Sequence, residues 1–412
     1  MIEDTELREI LRRTAEKASL PPVMPAPMRR RIRVHKALVA GGVAAAVVVI
    51  AVAGAFIESA IWTDAAPVRP AEDPLELPRH VEVIETEGPD LVAVDPRTGK
   101  SRVLVHGRGE IGNAAFSPDG RWLAFDIPAQ RSPLPATPAS LWVMDAELEP
   151  RRLAVNPGRW AWSPTDAQLA MMRDSTLTLI DPSTGRKTDL GTTFDDDDIT
   201  GPVWSPDGTR IVFGVRGGSL YSVDVGSGDR SLLVRLQGTN FDPHRSSIEW
   251  SPDGSHVAIL ADLVEGLRRL YVMNADGSGL RVLADDFEPG GWGGWFPGDP
   301  SSETAWSPDG TRLTYPAFSG PDQRELEIWT ASLDGSAPSL AASHTNDECC
   351  IDGGSPVWSP DGSQIAFATD KEAPHEPTHI AVNADGTGEA LEIDSLTYLS
   401  WRGGWYFCYC YG

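Results

Sequence analysis

Two hydrophobic rhythms divide the chain. Ala37–Ile57 reads ALVAGGVAAAVVVIAVAGAFI, 21 residues without a charge or a strongly polar side chain. At about 1.5 Å per residue this is enough to cross about 30 Å of hydrocarbon as a helix. From residue 89 onward the apolar residues come instead in short runs and alternations such as TRIVF, SQIAF and LYVMNADG, broken by Pro, Asp and Gly. That punctuation predicts strands joined by tight turns. Before the long run, Leu7, Ile10, Leu11, Ala15 and Ala18 form one helical stripe over residues 4–20, with Asp4 or Thr5 able to cap it and Pro21, Pro22, Pro25 and Pro27 to end it. After it, residues 63–88 are rich in Pro, Ala and acids (Pro67, Pro70, Pro74, Pro78), a linker composition. The expected organisation is therefore a cytoplasmic amphipathic helix and basic segment (1–36), a transmembrane helix (37–57), a Pro/acid-rich linker (58–88) and a strand-rich body (89–412).

The body is repetitive. An aromatic residue followed by Ser-Pro-Asp-Gly and an apolar run occurs at Phe116–Gly120, Trp204–Gly208, Trp250–Gly254, Trp306–Gly310 and Trp358–Gly362. Trp162-Ser163-Pro164-Thr165-Asp166 is a degenerate copy, and Ser400-Trp401-Arg402-Gly403-Gly404 keeps only the Trp and the turn. The seven aromatic anchors are spaced by 46, 42, 46, 56, 52 and 43 residues. Pro and Gly in these places suit a type I turn, and Ser and Asp can bond nearby backbone N–H groups. A second turn, of the Asp-Gly kind, recurs between copies, as at Asp181–Gly185, Asn274–Gly277, Asp334-Gly335 and Asn383–Gly386.

The two turns alternate strictly, so each unit is strand A, SPDG turn, strand B, loop, strand C, Asp-Gly turn, strand D. This is one four-stranded blade of a β-propeller, and the period of the repeat agrees with it. The series opens on a C–D hairpin, Leu91 to Val105, and ends on an A–B hairpin, Thr397 to Tyr411. Joining these halves closes the ring without a free sheet edge. The fold expected is all-β: a seven-bladed propeller closed by amino- and carboxyl-terminal half-blades. Six or eight blades are the alternatives if the degenerate copies at Trp162 or Trp401 are counted differently.

WSPDG followed by an IAF-like strand and then YVMNADGSG resembles the TolB-like, WD40-like propeller repeat of bacterial envelope proteins. The resemblance covers about residues 89–412. It implies an extracytoplasmic propeller with envelope partners. It departs from TolB itself in having an apolar run and linker where that protein carries an α/β domain, so the Tol partner set is not carried over. Similar propellers precede the hydrolase domain of prolyl-oligopeptidase-like enzymes.

Charge sets orientation. The chain has 35 Lys plus Arg and 59 Asp plus Glu, a net −24. Residues 1–57 hold nine of the bases and five of the acids, so the rest sums to −28. So acidic a body repels phosphate backbones, and no nucleic-acid partner is expected. Arg29, Arg30, Arg31, Arg33 and Lys36 precede the apolar run, while Glu58 and Asp64 follow it. The positive-inside rule then keeps the amino terminus in the cytoplasm and the body outside. A cleaved signal peptide is the alternative, but the run is longer than a usual h-region and begins after 36 residues. A twin-arginine signal is a weaker match.

Blade topology puts the A–B and C–D turns at one end and the B–C and D–A loops at the other. The variable insertions all fall at the second end, the expected site. The longest holds Trp292, Trp295 and Phe296 in a Gly-rich stretch, rings that could stack on a sugar, a peptide or a partner surface, or could simply plug the channel mouth. Asp195, Asp196, Asp197 and Asp198 offer oxygen ligands for Ca²⁺, though without a Gly-containing loop pattern a solvated acidic loop is the plainer reading. His375-Glu376-Pro377-Thr378-His379 matches H-E-x-x-H, but Pro377 and a strand beginning at His379 deny it the helix that zinc chemistry requires.

Cys349, Cys350, Cys408 and Cys410 are candidate disulfide cysteines in an oxidising compartment, with Cys349 or Cys350 to Cys410 able to staple the closing blade. Cys349, Cys350, His375 and His379 are also a conceivable mixed metal set. No G-x-S-x-G elbow, phosphate loop or dinucleotide fingerprint is present. The expectation is therefore a membrane-anchored, non-enzymatic module that binds an envelope protein or glycan, with no catalytic residue, metal or cofactor assigned. The rivals are a hydrolase or lyase using carboxylates and His at the loop end, and a sensor coupled to the cytoplasmic helix.

Overall fold

In the computed structural model the described residues are 68–70, 83–87, 90–94, 101–107, 111–129, 138–145, 150–173, 176–192, 199–239, 246–263, 267–287, 304–319, 325–345, 356–369 and 378–393. They contain strands and turns and no helix, arranged as seven four-stranded antiparallel sheets. No described helix is long and apolar enough to cross a membrane, and the run 37–57 lies outside the described residues.

Sheet 1 holds β1 (Val68–Pro70), β2 (Val83–Glu87), β3 (Asp90–Val94) and β4 (Ser101–Gly107). Sheet 2 holds β5 (Ala114–Phe116), β6 (Leu123–Ile127), β7 (Ser140–Met144) and β8 (Arg151–Val155). Sheet 3 comprises β9 (Arg159–Trp162), β10 (Leu169–Arg173), β11 (Thr176–Ile180) and β12 (Lys187–Thr192). Sheet 4 comprises β13 (Ile199–Trp204), β14 (Arg210–Val215), β15 (Ser219–Asp224) and β16 (Arg230–Arg235). Sheet 5 is β17 (Ser247–Trp250), β18 (His256–Asp262), β19 (Arg268–Asn274) and β20 (Arg281–Phe287). Sheet 6 is β21 (Ala305–Trp306), β22 (Arg312–Ser319), β23 (Glu325–Ser332) and β24 (Ser339–Thr345), and sheet 7 is β25 (Val357–Trp358), β26 (Gln364–Thr369), β27 (Thr378–Asn383) and β28 (Leu391–Ile393).

Sheets 2 to 7 are simple meanders in chain order, as the alternating turns predict. Sheet 1 differs, with the order β1-β4-β3-β2. The slot beside β3, expected to take the last strand of the carboxyl-terminal hairpin, is filled by Val83–Glu87, with Glu87 opposite Asp90 and Val83 opposite Val94. On the far edge Val68–Pro70 pairs with β4. Both strands come from the segment read as linker; Val68–Pro70 ends in a Pro, which an edge strand tolerates, and Val83–Glu87 holds none. The hairpin 397–411 lies outside the described residues.

The core is a series of face-to-face packings between consecutive sheets rather than one central mass. Phe213, Ile211 and Val223 of sheet 4 pack on Met172 and Leu177 of sheet 3, while Val212 and Leu220 on the opposite face of sheet 4 meet Ile248, Val257 and Ile259 of sheet 5. Leu260 and Leu270 then meet Leu313 and Tyr315, and Phe318 and Ile328 meet Ile365 and Phe367. Period-2 strands buried on both faces explain the near-continuous apolar runs of the B and C strands.

The anchor residues join one sheet to the next. Trp162 Nε1 donates to Ala115 O (2.9 Å), Trp204 Nε1 to Ala161 O (3.2 Å) and Trp358 Nε1 to Ala305 O (3.1 Å). In each case the acceptor is the residue before the preceding anchor. The residue that opens strand B reaches forward: the guanidinium of Arg210 lies 5.0 Å from the Trp250 ring centre, and that of Arg312 lies 4.6 Å from Trp358.

Candidate functional site

The two ends of the sheets differ in where their polar groups go. At the turn end, Ser117, Ser205, Ser251, Ser307 and Ser359 each donate Oγ–H to the Asp two residues on, at 2.5–2.7 Å. The same Oγ accepts the backbone N–H of the residue five on, at 2.9–3.0 Å. The Gly of each turn donates to the Ser carbonyl with φ near +70°, a conformation that asks for Gly. The Ser hydroxyl first, then the backbone N–H and hydroxyl of Ser255, Thr311 and Ser363, hold the carboxyls of Asp253, Asp309 and Asp361 down at about 2. The Asp-Gly turns are closed likewise, as where Asp276 accepts from Ser278 and Asp385 from Thr387. This end has its carboxylates engaged by its own backbone.

Elsewhere the polar groups pair with one another, some within a sheet and some between sheets. Asp126, in the otherwise apolar strand β6, accepts from Asn113 N (3.1 Å), Asn113 Nδ2 (3.1 Å) and Trp160 Nε1 on β9 of sheet 3 (3.1 Å). Gly112 makes room for it, since a Cβ there would stand 1.9 Å from Asp126 Oδ1. Burial pushes the Asp126 carboxyl up to about 6, against the lowering effect of the Trp160 and Asn113 bonds.

A second cluster spans sheets 5 and 6. Arg268 Nε and Asp262 Oδ1 pair at 3.0 Å with side chains 4% and 9% exposed. Thr304 Oγ1 donates to Glu249 Oε1 (2.5 Å). On sheet 6 Glu327 accepts from Ser319 Oγ (2.7 Å) and Trp329 Nε1 (2.8 Å), and Glu325 from Ser343 Oγ (2.9 Å). Strand register puts Asp262 and Arg268 on the face of sheet 5 that carries Leu260 and Leu270, and Glu325 and Glu327 on the face of sheet 6 that carries Trp329. Those faces pack together through Leu260, Leu270, Tyr315 and Trp329. Burial, then the charge of Glu327, raises the Tyr315 phenol. Such an acceptor-rich surface suits hydroxyl-bearing or cationic ligands better than phosphates.

Among the described residues no group of three or more His, Cys, Asp or Glu is placed to hold a metal. His379 is buried near the start of β27, so the H-E-x-x-H match does not lie on a helix at that residue. Trp292, Trp295, Phe296, Asp195, Asp196, Asp197, Asp198, Cys349, Cys350, Cys408 and Cys410 all lie outside the described residues, as does His375. The loop-end carboxylates were not singled out from the sequence. For Asp126 a signal existed: six residues past the turn the other repeats carry Met172, Gly214, Leu260, Pro316 and Ala368.

No family model matches the chain. An uncharacterized protein of Agrobacterium fabrum is 27% identical over 179 residues, 40% of this chain and 52% of that protein. The chain thus spans about half the length of the curated relative it matches. Among solved structures, dipeptidyl peptidase 4 of Porphyromonas gingivalis has a TM-score of 0.50 at 12% identity, over 82% of this chain and 55% of that one. Oligogalacturonate lyase of Vibrio parahaemolyticus has a TM-score of 0.46 at 13% identity (79% and 83% covered), and TolB of Acinetobacter baumannii 0.38 at 15% (74% and 77%). The likeness is one of fold, an all-β array of four-stranded antiparallel sheets consistent with a β-propeller. One expectation is corrected here. Having no catalytic motif led to a non-enzymatic reading, yet a protein named as a peptidase is among the structures of similar fold. Sites assembled from loops of several blades leave no short motif, so its absence does not exclude catalysis.

Proposed function

We propose that this chain is a single-pass membrane protein, anchored through residues 37–57 with its amino terminus in the cytoplasm, whose seven sheets form the blades of an extracytoplasmic propeller. Its loop end binds a protein or glycan of the cell envelope. The observation that carries this reading is the contrast between the ends: turn-end carboxylates are closed on their own turns, whereas Asp126, Asp262, Glu325 and Glu327 lie on their strands towards the end where the insertions fall. Crosslinking pull-down from intact cells, with residues 287–303 present or removed, tests it. Loss of a captured partner on removal supports the reading, and unchanged capture assigns binding elsewhere.

A second reading, an extracytoplasmic hydrolase or lyase, is favoured by Asp126, whose carboxyl at about 6 can exchange a proton near neutral pH. Turnover of envelope polysaccharide or peptide that disappears in Asp126→Asn, with binding retained, would support it.

A further inference from the structure

One inner strand is bordered on both sides by polar groups without partners. The anchor indoles of sheets 3, 4 and 7 each donate to the first strand of the preceding sheet, but Trp250 Nε1 and Trp306 Nε1 are buried with no acceptor among the described residues. The carbonyls in the corresponding register belong to Val203 and Glu249, so the two unmade bonds are those on either side of sheet 5.

The loop end of the same strand repeats the pattern. Ser247 begins β17 and Ser246 precedes it, in phase with Ile248, which packs on sheet 4. Thr200 lies opposite Gly214, on the face of sheet 4 turned to sheet 5 and beside the β13 bulge. The hydroxyls of Thr200, Ser246 and Ser247 are all buried and unpartnered, with Thr200 and Ser246 only 5% and 8% exposed. Five of the eight buried side-chain N or O atoms that lack a partner among the described residues therefore lie on β17 or against it.

Each such group gives up bulk hydration on burial and gains no protein partner among the described residues. When the strand parts from its neighbours, water satisfies all five at once, so opening is easier here than where indole and carbonyl are already paired. What holds the sheet is its ladder with β18, apolar packing on both faces, Arg210 lying over the Trp250 ring (5.0 Å) and reaching Ala275 O (2.8 Å), and the Thr304–Glu249 bond. We infer that β17 is the compliant joint of the array, the inner strand that separates first, and that its opening bares Thr200, Ser246 and Ser247 at the loop end. This stands apart from the binding reading and does not depend on it.

Hydrogen exchange followed by mass spectrometry on the full chain in detergent tests the inference. Amides of β17 should exchange at least tenfold faster than those of β9 and β13. Replacing two of the unpartnered hydroxyls in Thr200→Val/Ser246→Ala should slow β17 at least fivefold and leave β9 unchanged. Protection of β17 equal to that of β13 overturns the inference. So does faster exchange in the double variant, which would mean that these hydroxyls bind buried water that ties the joint. If the double variant does not fold, the comparison of strands within the unaltered chain decides.

Discussion

The indole Nε1 of Trp358 donates to the backbone oxygen of Ala305, 3.1 Å away on the inner strand of the preceding sheet, while Arg312 of that sheet covers the same ring at 4.6 Å. One side chain is thereby held by two parts of its neighbour. Trp204→Phe and Trp358→Phe remove a made bond and leave a carbonyl to be satisfied; Trp250→Phe and Trp306→Phe remove an N–H that has no partner. The first pair should lose about 1 kcal/mol or more beyond the second in denaturant unfolding. Equal losses would show that the indole bonds add nothing to ring packing.

The SPDG serines join turn to strand. Ser307→Ala takes away both the donor to Asp309 and the acceptor for Arg312 N, and leaves that N–H in the turn without its partner. A loss of ~1 kcal/mol is expected, and the Asp309 carboxyl should return from about 2 towards its ordinary value. Titration of the carboxyl by NMR and a denaturation curve check both parts.

Stability should depend on pH in two opposed ways. Asp126 keeps its proton up to about pH 6 when folded, whereas an unfolded Asp releases it near 3.8. Folding is then favoured by acid across that window, so stability rises as pH falls from 7 towards 4, by ~2 kcal/mol at most. Asp126→Asn should flatten this rise. Below the window the sign reverses: Asp253, Asp309 and Asp361, held at about 2, contribute stability above the ordinary carboxyl range that disappears as pH falls through 2. Melting temperature against pH, with and without Asp126→Asn, tests the separation.

Gly112 and Asp126 should be energetically coupled. Gly112→Ala drives a methyl against Asp126 Oδ1 and is expected to cost ~2 kcal/mol. In an Asp126→Ala background the same change should cost much less, which a double-mutant cycle measures.

Breaking the enclosed ion pair of sheet 5 should be among the most damaging changes. Arg268→Met leaves Asp262 buried beside the Glu325–Glu327 surface and should cost ~3 kcal/mol. Arg268→Met/Asp262→Leu should recover part of the loss, because no charge is then stranded.

The architecture was legible because its signals are local. A Ser, Pro, Asp and Gly in fixed order dictate a turn through contacts within six residues, and every such turn in the described residues sits between two adjacent strands as read. Sheet 1 was not, since neither Val68–Pro70 nor Val83–Glu87 carries the repeat: the first gains its strand character from β4, distant in the chain, and the second forms a hairpin with β3 that has neither of the two repeated turns. The bridging carboxylates were hidden because their partners are far along the chain: Asp126 meets Trp160, 34 residues away, and Thr304 meets Glu249 across 55. Only alignment of the repeats against one another would have exposed Asp126 as the exception.

The pairing of Val68–Pro70 with β4 means that the outermost rim of sheet 1 is capped by residues of this same polypeptide, ending in a proline that offers no N–H. A shortened chain started at residue 89 would strip that cap and β2 together, leaving both flanks of the β3–β4 ribbon as raw templates for another molecule. Any truncation meant to keep both flanks covered has to begin ahead of Val68.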